Sequence, residues 1–187
     1  IIKINKNYKI PIVYVSHSLF EIFLLGKNIN FINNGNLVFS GNKEQSLLHY
    51  NSSLENSFED SYIKGRISKI RNKDNLSELN IGKNKLLIFT NSLKLNSHVL
   101  VKIRSSNIII SKNKPVNLSS LNFIKVKIKK ITIEKYLVLL ILEFNNSSIK
   151  AHITKKSYRL MKIKNEEFCY ALIKAININD FLEISLF

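Results

Sequence analysis

Apolar and polar positions follow two different patterns along this chain of 187 residues. In the first part, the continuous apolar run Ile10–Val15 predicts a strand that is buried on both faces, and Leu19–Leu25 is apolar at helical spacing. The polar turn Asn33–Asn36 lies between two short apolar runs and predicts a hairpin. Residues 42–60 are polar with few apolar anchors, which predicts a short helix and a linker.

Strand patterns recur about every 8 to 12 residues from Ser61 onwards, with Asn, Ser and Gly between them, and predict small barrels or sandwiches. The pattern occurs twice, as two pairs of similar segments show: 65–70 with 126–131, and 101–108 with 171–178. The second copy is longer in the middle, where 154–161 predicts a short helix capped by Thr154. We expect two tandem five-stranded modules that bury their apolar faces against each other, because about 55 residues is small for a stable core.

Composition excludes several classes of protein. The 45% of hydrophobic residues argues against general disorder, and no apolar run is long enough to span a bilayer. A single cysteine, Cys169, excludes an internal disulfide framework and a cysteine-rich zinc site. The histidines His49, His98 and His152 lack metal-ligand spacing, so no metal site is expected. Because the chain begins with Ile1 and has no visible signal peptide, we expect it to be a fragment of a longer protein.

The net charge of +16 comes mainly from lysines that are spread along the chain. Asn (25) and Ile (29) are also frequent, so the lysines belong to a bias of the whole composition rather than to a local basic patch. Two interpretations remain open at this point. The lysines either form an ordinary solvated surface, or they attract an anion such as nucleic acid, a lipid head group or a small oxyanion.

His17 lies in the string VYVSHSLFE, between the apolar run and the predicted helix. The end of a buried strand is where an α/β sheet places groups that face a ligand. With Glu21 four residues later, a hairpin containing Gly35 and then Ser40–Gly41, residues 1–45 resemble the end of an ABC-transporter nucleotide-binding domain. The resemblance implies that His17 is the catalytic switch histidine, which contacts the γ-phosphate of ATP and positions the attacking water.

The remaining ATP-site motifs are missing from the sequence. There is no GxxxxGK[ST] (Walker A), no signature loop and no apolar strand ending in Asp-Glu (Walker B). The resemblance therefore implies ATP and Mg²⁺ as cofactors of an intact protein, of which this chain is expected to be a truncated C-terminal piece.

Four later segments resemble, in the right order, motifs of the regulatory domain of molybdate-import ATPases, which is built from OB-like TOBE/Mop modules. They are VKIRSSNI at 101–108, LSSLNFI at 118–124, AHITKKS at 151–157 and YALIKA at 170–175. The resemblance implies a mixed fold, an α/β remnant of an ABC ATPase domain followed by all-β tandem OB-like barrels. The implied division is 1–45 for the end of the nucleotide-binding domain, 46–60 for a linker, 61–114 for the first module and 115–183 for the second, molybdate-binding module.

The resemblance also implies an oxyanion site for molybdate or tungstate. Its donors would be Ser119, Asn122, Thr154, Ser157 and Lys174. A tetrahedral oxyanion needs hydroxyl and amide donors together with a cation, and these residue types supply them. Leu121 stands where the family often has Arg, which removes one cationic group from the expected site.

The predicted function is the C-terminal part of the ATPase subunit of a molybdate ABC importer, which couples ATP hydrolysis to molybdate uptake and carries a regulatory oxyanion-binding domain. The implied partners are a transmembrane permease and a second ATPase subunit, at the cytoplasmic face of the inner (plasma) membrane. Importers of sulfate, spermidine, iron or sugar carry similar modules and remain an alternative, as does a free-standing molybdate-storage protein. An OB-fold nucleic-acid binder would need aromatic residues along exposed strands, where this chain has Ile, Leu and Val, so no nucleic-acid partner is expected.

Overall fold

The computed structural model describes residues 1–53 and 60–184. The chain forms two compact units, Ile1–His49 and Tyr50–Phe187. Within the described ranges, every helix is too short or too polar to cross a membrane. Residues 54–59 of the predicted linker 46–60 lie outside the described part, and the limits of the four predicted domains stay predictions.

The first unit contains short helices and one hairpin. Its elements, together with the helix that follows, are α1 (Ile2–Tyr8), α2 (Leu19–Leu25), β1 (Asn28–Asn33), β2 (Asn36–Asn42) and α3 (Lys43–Ser52). Helix α2 occupies the predicted residues, and the Ser18 side chain caps its N-terminus. The hairpin is confirmed as well, because Asn34 and Gly35 both have positive φ, as a two-residue turn between antiparallel strands requires.

The strand predicted at Ile10–Val15 is wrong. These residues lie outside helices and strands and are exposed, with Val13 at 93% and Val15 at 90%. A strand exists only where its backbone N–H and C=O groups find partners on a neighbouring strand. No described strand pairs with this segment, so its apolar sequence alone does not produce a strand.

The second unit consists mainly of β-strands. They are β3 (Asp60–Arg71), β4 (Leu76–Ile81), β5 (Asn84–Ile88), β6 (His98–Arg104), β7 (Ile109–Ser111), β8 (Asn122–Ile133), β9 (Leu137–Phe144), β10 (Ser147–Thr154), β11 (Phe168–Ile173) and β12 (Phe181–Ile184). Helix α4 (Lys155–Met161) follows β10 and starts after Thr154, as predicted. Short 3₁₀ turns follow β6 at Ser105–Asn107 and β11 at Ala175–Asn177.

The strands form two antiparallel five-stranded sheets, in the orders β12-β6-β3-β4-β5 and β10-β9-β8-β11-β7. Each sheet therefore takes its edge strand from across the predicted boundary between residues 114 and 115. Strand β7 pairs with β11 of the second sheet, and β12 pairs with β6 of the first. A single core cluster includes residues of both sheets, so the expectation that the modules bury their apolar faces together is confirmed.

The pairing of the strands shows that the two sheets are copies of one internal repeat. The long strands β3 and β8 have a bulge at equivalent places, opposite Leu79 in one sheet and Leu142 in the other. Leu79 pairs with Leu86, and Leu142 pairs with Ile149. The next residues along the edge strands, Leu87 in β5 and Lys150 in β10, are consequently equivalent.

Candidate oxyanion site

A cavity of about 300 Å³ lies beside the 3₁₀ turn that follows β11. Its polar lining residues, within the described part of the chain, are Ser119, Lys174 and Asp74. The apolar ones are Leu76, Phe89, Leu121, Ala175 and Ile176. Two of the five predicted oxyanion donors, Ser119 and Lys174, therefore line one cavity although they are far apart in sequence.

Besides Leu76 at the start of β4 and Asp74 just before it, three parts of the chain build this cavity. Lys174 directly follows β11 and begins the 3₁₀ turn Ala175–Asn177. The backbone N–H of Phe89 donates to the carbonyl of Ala175 at 3.3 Å, which fixes the end of β5 against that turn. Ser119 lies in the loop that leads into β8. The site thus depends on contacts between the two modules.

The cavity contains one charged group that attracts an anion, Lys174, and one that repels it, Asp74. Lys174 is exposed and makes no ion pair with any described residue, so its ammonium is available to a ligand. Leu121, where the family often has Arg, adds an apolar wall and is 54% exposed. Asp74 brings a carboxylate that opposes an anion, and the sequence analysis did not place it here because it comes from the other module.

The predicted donor Asn122 makes both of its side-chain hydrogen bonds to the backbone of Leu87. It is buried, its side-chain amide donates to the carbonyl of Leu87 at 2.9 Å, and its side-chain oxygen accepts from the Leu87 N–H at 2.7 Å. It is not among the residues that line the cavity. Asn122 therefore joins the start of β8 to the edge strand β5, because a buried amide must satisfy its hydrogen bonds within the protein.

Replacement of Asn122 by alanine is expected to lower the free energy of unfolding by about 1–3 kcal/mol, because two hydrogen bonds are lost and the half-buried Leu87 backbone groups lose their side-chain partner. Urea unfolding followed by circular dichroism measures the change. Asn165→Ala, at an exposed position, is the control and should change stability by less than about 0.5 kcal/mol. Equal stabilities of the two variants would contradict this role.

Thr154 and Ser157 form a separate pair at the start of α4. The Thr154 hydroxyl accepts from the Ser157 N–H at 3.0 Å, and the two hydroxyl oxygens are 2.9 Å apart. The predicted cap is confirmed, and neither residue lines the cavity beside Lys174. Four of the five predicted donors therefore form two separate pairs within one chain, and Asn122 belongs to neither.

His17 is exposed in the loop before α2, and the Glu21 side chain holds the residues that precede His17. The Glu21 carboxylate accepts hydrogen bonds from the Ser16 hydroxyl at 2.7 Å and from the Tyr14 hydroxyl at 3.0 Å. These bonds, that of Ser16 first, lower the pKa of the Glu21 carboxyl. The sequence pattern does not predict this network, and its one visible signal is a charged residue in an otherwise apolar helix.

Relatives match nearly the whole chain. The molybdenum import ATP-binding protein ModC of Mesorhizobium japonicum is 24% identical over 180 residues, which are 95% of this chain and 49% of that protein. ModC of Photobacterium profundum is 27% identical over 178 residues, 92% of this chain and 50% of that protein. The chain spans about half the length of the curated relatives it matches. No family model matches it.

A solved structure has a similar fold. The cytoplasmic molybdate-binding protein ModG, with molybdate bound, aligns with a TM-score of 0.59 over 67% of this chain and 96% of that one, at 18% identity. The chain thus contains the OB-like β fold of TOBE/Mop domains, and the predicted fold class is confirmed. The sequence matches show that the chain is similar to molybdenum import ATP-binding proteins over about half of their length. The resemblance inferred from the motifs is thereby confirmed.

Proposed function

We propose that this chain is the C-terminal part of the ATPase subunit of a molybdate ABC importer, and that its β unit binds molybdate or tungstate as a regulatory ligand. The cavity lined by Ser119 and Lys174 is the observation that carries the proposal, because it lies in a fold shared with a molybdate-bound protein. A hydroxyl and an ammonium hold a tetrahedral oxyanion without the help of a metal. The names of the relatives point to the same ligand.

A second copy of the chain would complete the site. One cavity offers one hydroxyl and one ammonium, which is few for a dianion with four oxygens. Thr154 and Ser157 supply two more hydroxyls on another part of the same chain. In a symmetric dimer the same two surfaces meet twice, so the Thr154 pair of each copy would close the cavity of the other. The exposed rim residues Leu121 and Ile176 would then be covered.

Residues 1–49 would contribute to ATP hydrolysis in the intact protein. His17 would contact the γ-phosphate there, while the phosphate-binding loop, and with it ATP and Mg²⁺, belongs to parts of the protein outside this chain. Glu21 would keep the His17 loop in shape through Ser16 and Tyr14. The intact subunit would act with a transmembrane permease and a second ATPase subunit, peripherally at the cytoplasmic face of the inner membrane.

Calorimetric titration of molybdate into the 187-residue chain tests the proposal. We expect saturable heat, retained when sulfate is present as a competitor, with about one anion bound per chain. Gel filtration with and without molybdate measures whether binding is accompanied by dimer formation. The absence of heat at millimolar molybdate would exclude the chain as an oxyanion-binding protein.

A further inference from the structure

Lys150 is a buried lysine in the middle of β10. It is 1% exposed, and its ammonium donates a hydrogen bond to the backbone carbonyl of Tyr50 at 3.1 Å. The same ammonium lies 5.1 Å from the centre of the Tyr50 ring. In the described part of the chain it has no carboxylate within ion-pair distance. Burial of an ammonium without a carboxylate is unfavourable, so stability does not explain this lysine.

The internal repeat shows that the fold does not require a charge at this position. The equivalent residue in the other module is Leu87 in β5. At this point the backbone N–H of each edge strand donates a hydrogen bond to a side chain at the start of a long strand. Asn122 contacts the backbone of Leu87, and the Ser61 hydroxyl accepts from the N–H of Lys150 at 2.8 Å. The two modules have the same strand pairing and a similar hydrogen bond at this point, and they differ in the side chain, which is leucine in β5 and lysine in β10.

The partner of Lys150 is the end of helix α3. Tyr50 lies in the last turn of this helix, where carbonyl groups lack intrahelical partners and the helix carries partial negative charge. The next residue, Asn51, exchanges two hydrogen bonds with the backbone of Tyr62 in β3, at 2.6 and 2.9 Å. The end of α3 is therefore attached to β3 through Asn51 and to β10 through Lys150.

Strand β10 leads from this attachment towards the proposed ligand donors. His152 and Thr154 follow Lys150 at alternate positions, so the three residues lie on one face of the strand. The His152 ring accepts or donates a hydrogen bond with the Ser105 hydroxyl at 2.7 Å, and Thr154 begins α4. One strand thus carries both the α3 contact and the Thr154 hydroxyl.

We propose that Lys150 is the coupling residue between the oxyanion site and helix α3, the segment that connects residues 1–42 to the β unit. Occupancy of the site at Thr154 biases the position of β10, and Lys150 transmits this bias to the end of α3. This inference rests on the proposed function, since it names the route by which the same ligand would regulate the ATPase part. The lysine at position 150 makes this contact to α3, although burial of its charge lowers the stability of the folded protein.

Hydrogen exchange measured by mass spectrometry tests the coupling, with the wild type and Lys150→Leu compared in the presence and absence of molybdate. Leu87 at the equivalent position indicates that the fold accepts leucine there. In the wild type, molybdate should change the exchange of residues 45–53. In Lys150→Leu the same amides should exchange about tenfold faster or more without ligand, because a charged hydrogen bond is lost. Their exchange should no longer change when molybdate is added. The affinity of the variant for molybdate should stay within about twofold of the wild-type value.

Each outcome decides between the two proposals. If molybdate binds both proteins and residues 45–53 respond alike, the coupling role of Lys150 is refuted. If molybdate binds the wild type and the hydrogen exchange of residues 45–53 does not change, the wild-type result alone refutes the coupling. If molybdate does not bind at all, the proposed function fails, and the attachment is still tested by the exchange of the two proteins without ligand. Lys150→Met repeats the comparison if Lys150→Leu does not fold.

Discussion

Replacement of Lys174 by alanine is expected to weaken molybdate binding about ten- to a hundredfold. A hydrogen bond to a charged group contributes about 1.5–3 kcal/mol, and each 1.4 kcal/mol changes a dissociation constant tenfold. The loss should be large here because Leu121 supplies no second cation and Asp74 opposes the anion. Calorimetric titration of molybdate into the wild type and the variant measures the difference.

Lys130→Ala is the matched control, since it removes the same charge from an exposed position in β8 that neither lines the cavity nor neighbours the Thr154–Ser157 pair in sequence. We expect its affinity for molybdate to stay within about twofold of the wild type. Equal losses for the two variants would show that the lysines attract the anion through diffuse charge, and the assignment of the cavity as the binding site would then be wrong. Unfolding of both variants in urea checks that neither change acts through stability.

The stability of the wild type relative to Lys150→Leu is expected to increase by about 2–3 kcal/mol between pH 7 and pH 10. Burial lowers the pKa of the Lys150 ammonium to about 8, against 10.5 for an unperturbed lysine. Between these two values the unfolded chain binds more protons than the folded chain, so stability rises with pH. Below pH 8 both states are protonated, and the full cost of the buried charge is present. One pKa unit corresponds to about 1.4 kcal/mol.

Urea unfolding at a series of pH values measures this difference, and other titrating groups cancel because both proteins contain them. Among the described residues, the Lys150 ammonium lies over the Tyr50 ring, and the Asp60 carboxylate raises the lysine pKa without restoring it to the unperturbed value. Lys156→Leu, at an exposed position, should show no such trend with pH. Parallel stability curves for the wild type and Lys150→Leu would mean that Lys150 is not buried as a charge.

The repeated β architecture could be predicted because its signals are local. Alternating apolar positions, the Asn34–Gly35 turn and the Thr154 cap each act within a few residues, and the structure confirms all three. The strand prediction at Ile10–Val15 is wrong because a strand is not determined by local sequence alone. Its apolar run has the composition of a buried strand, but a strand also needs a neighbour to accept its backbone hydrogen bonds, and no described strand does so.

The sequence by itself determined the two copies of the β pattern, the helix in the second copy and the family resemblance, from which Ser119 and Lys174 are expected as site residues. Tertiary structure alone decided that Lys174, Ser119 and Asp74 share a cavity, that Asn122 serves the backbone of Leu87, and that the two sheets exchange their edge strands β7 and β12. The burial of Lys150 was decided in the same way, because a lysine in a strand is charged and solvated unless the fold buries it. These features depend on residues about 30 to 100 positions apart, and only the packing of the strands brings such residues together.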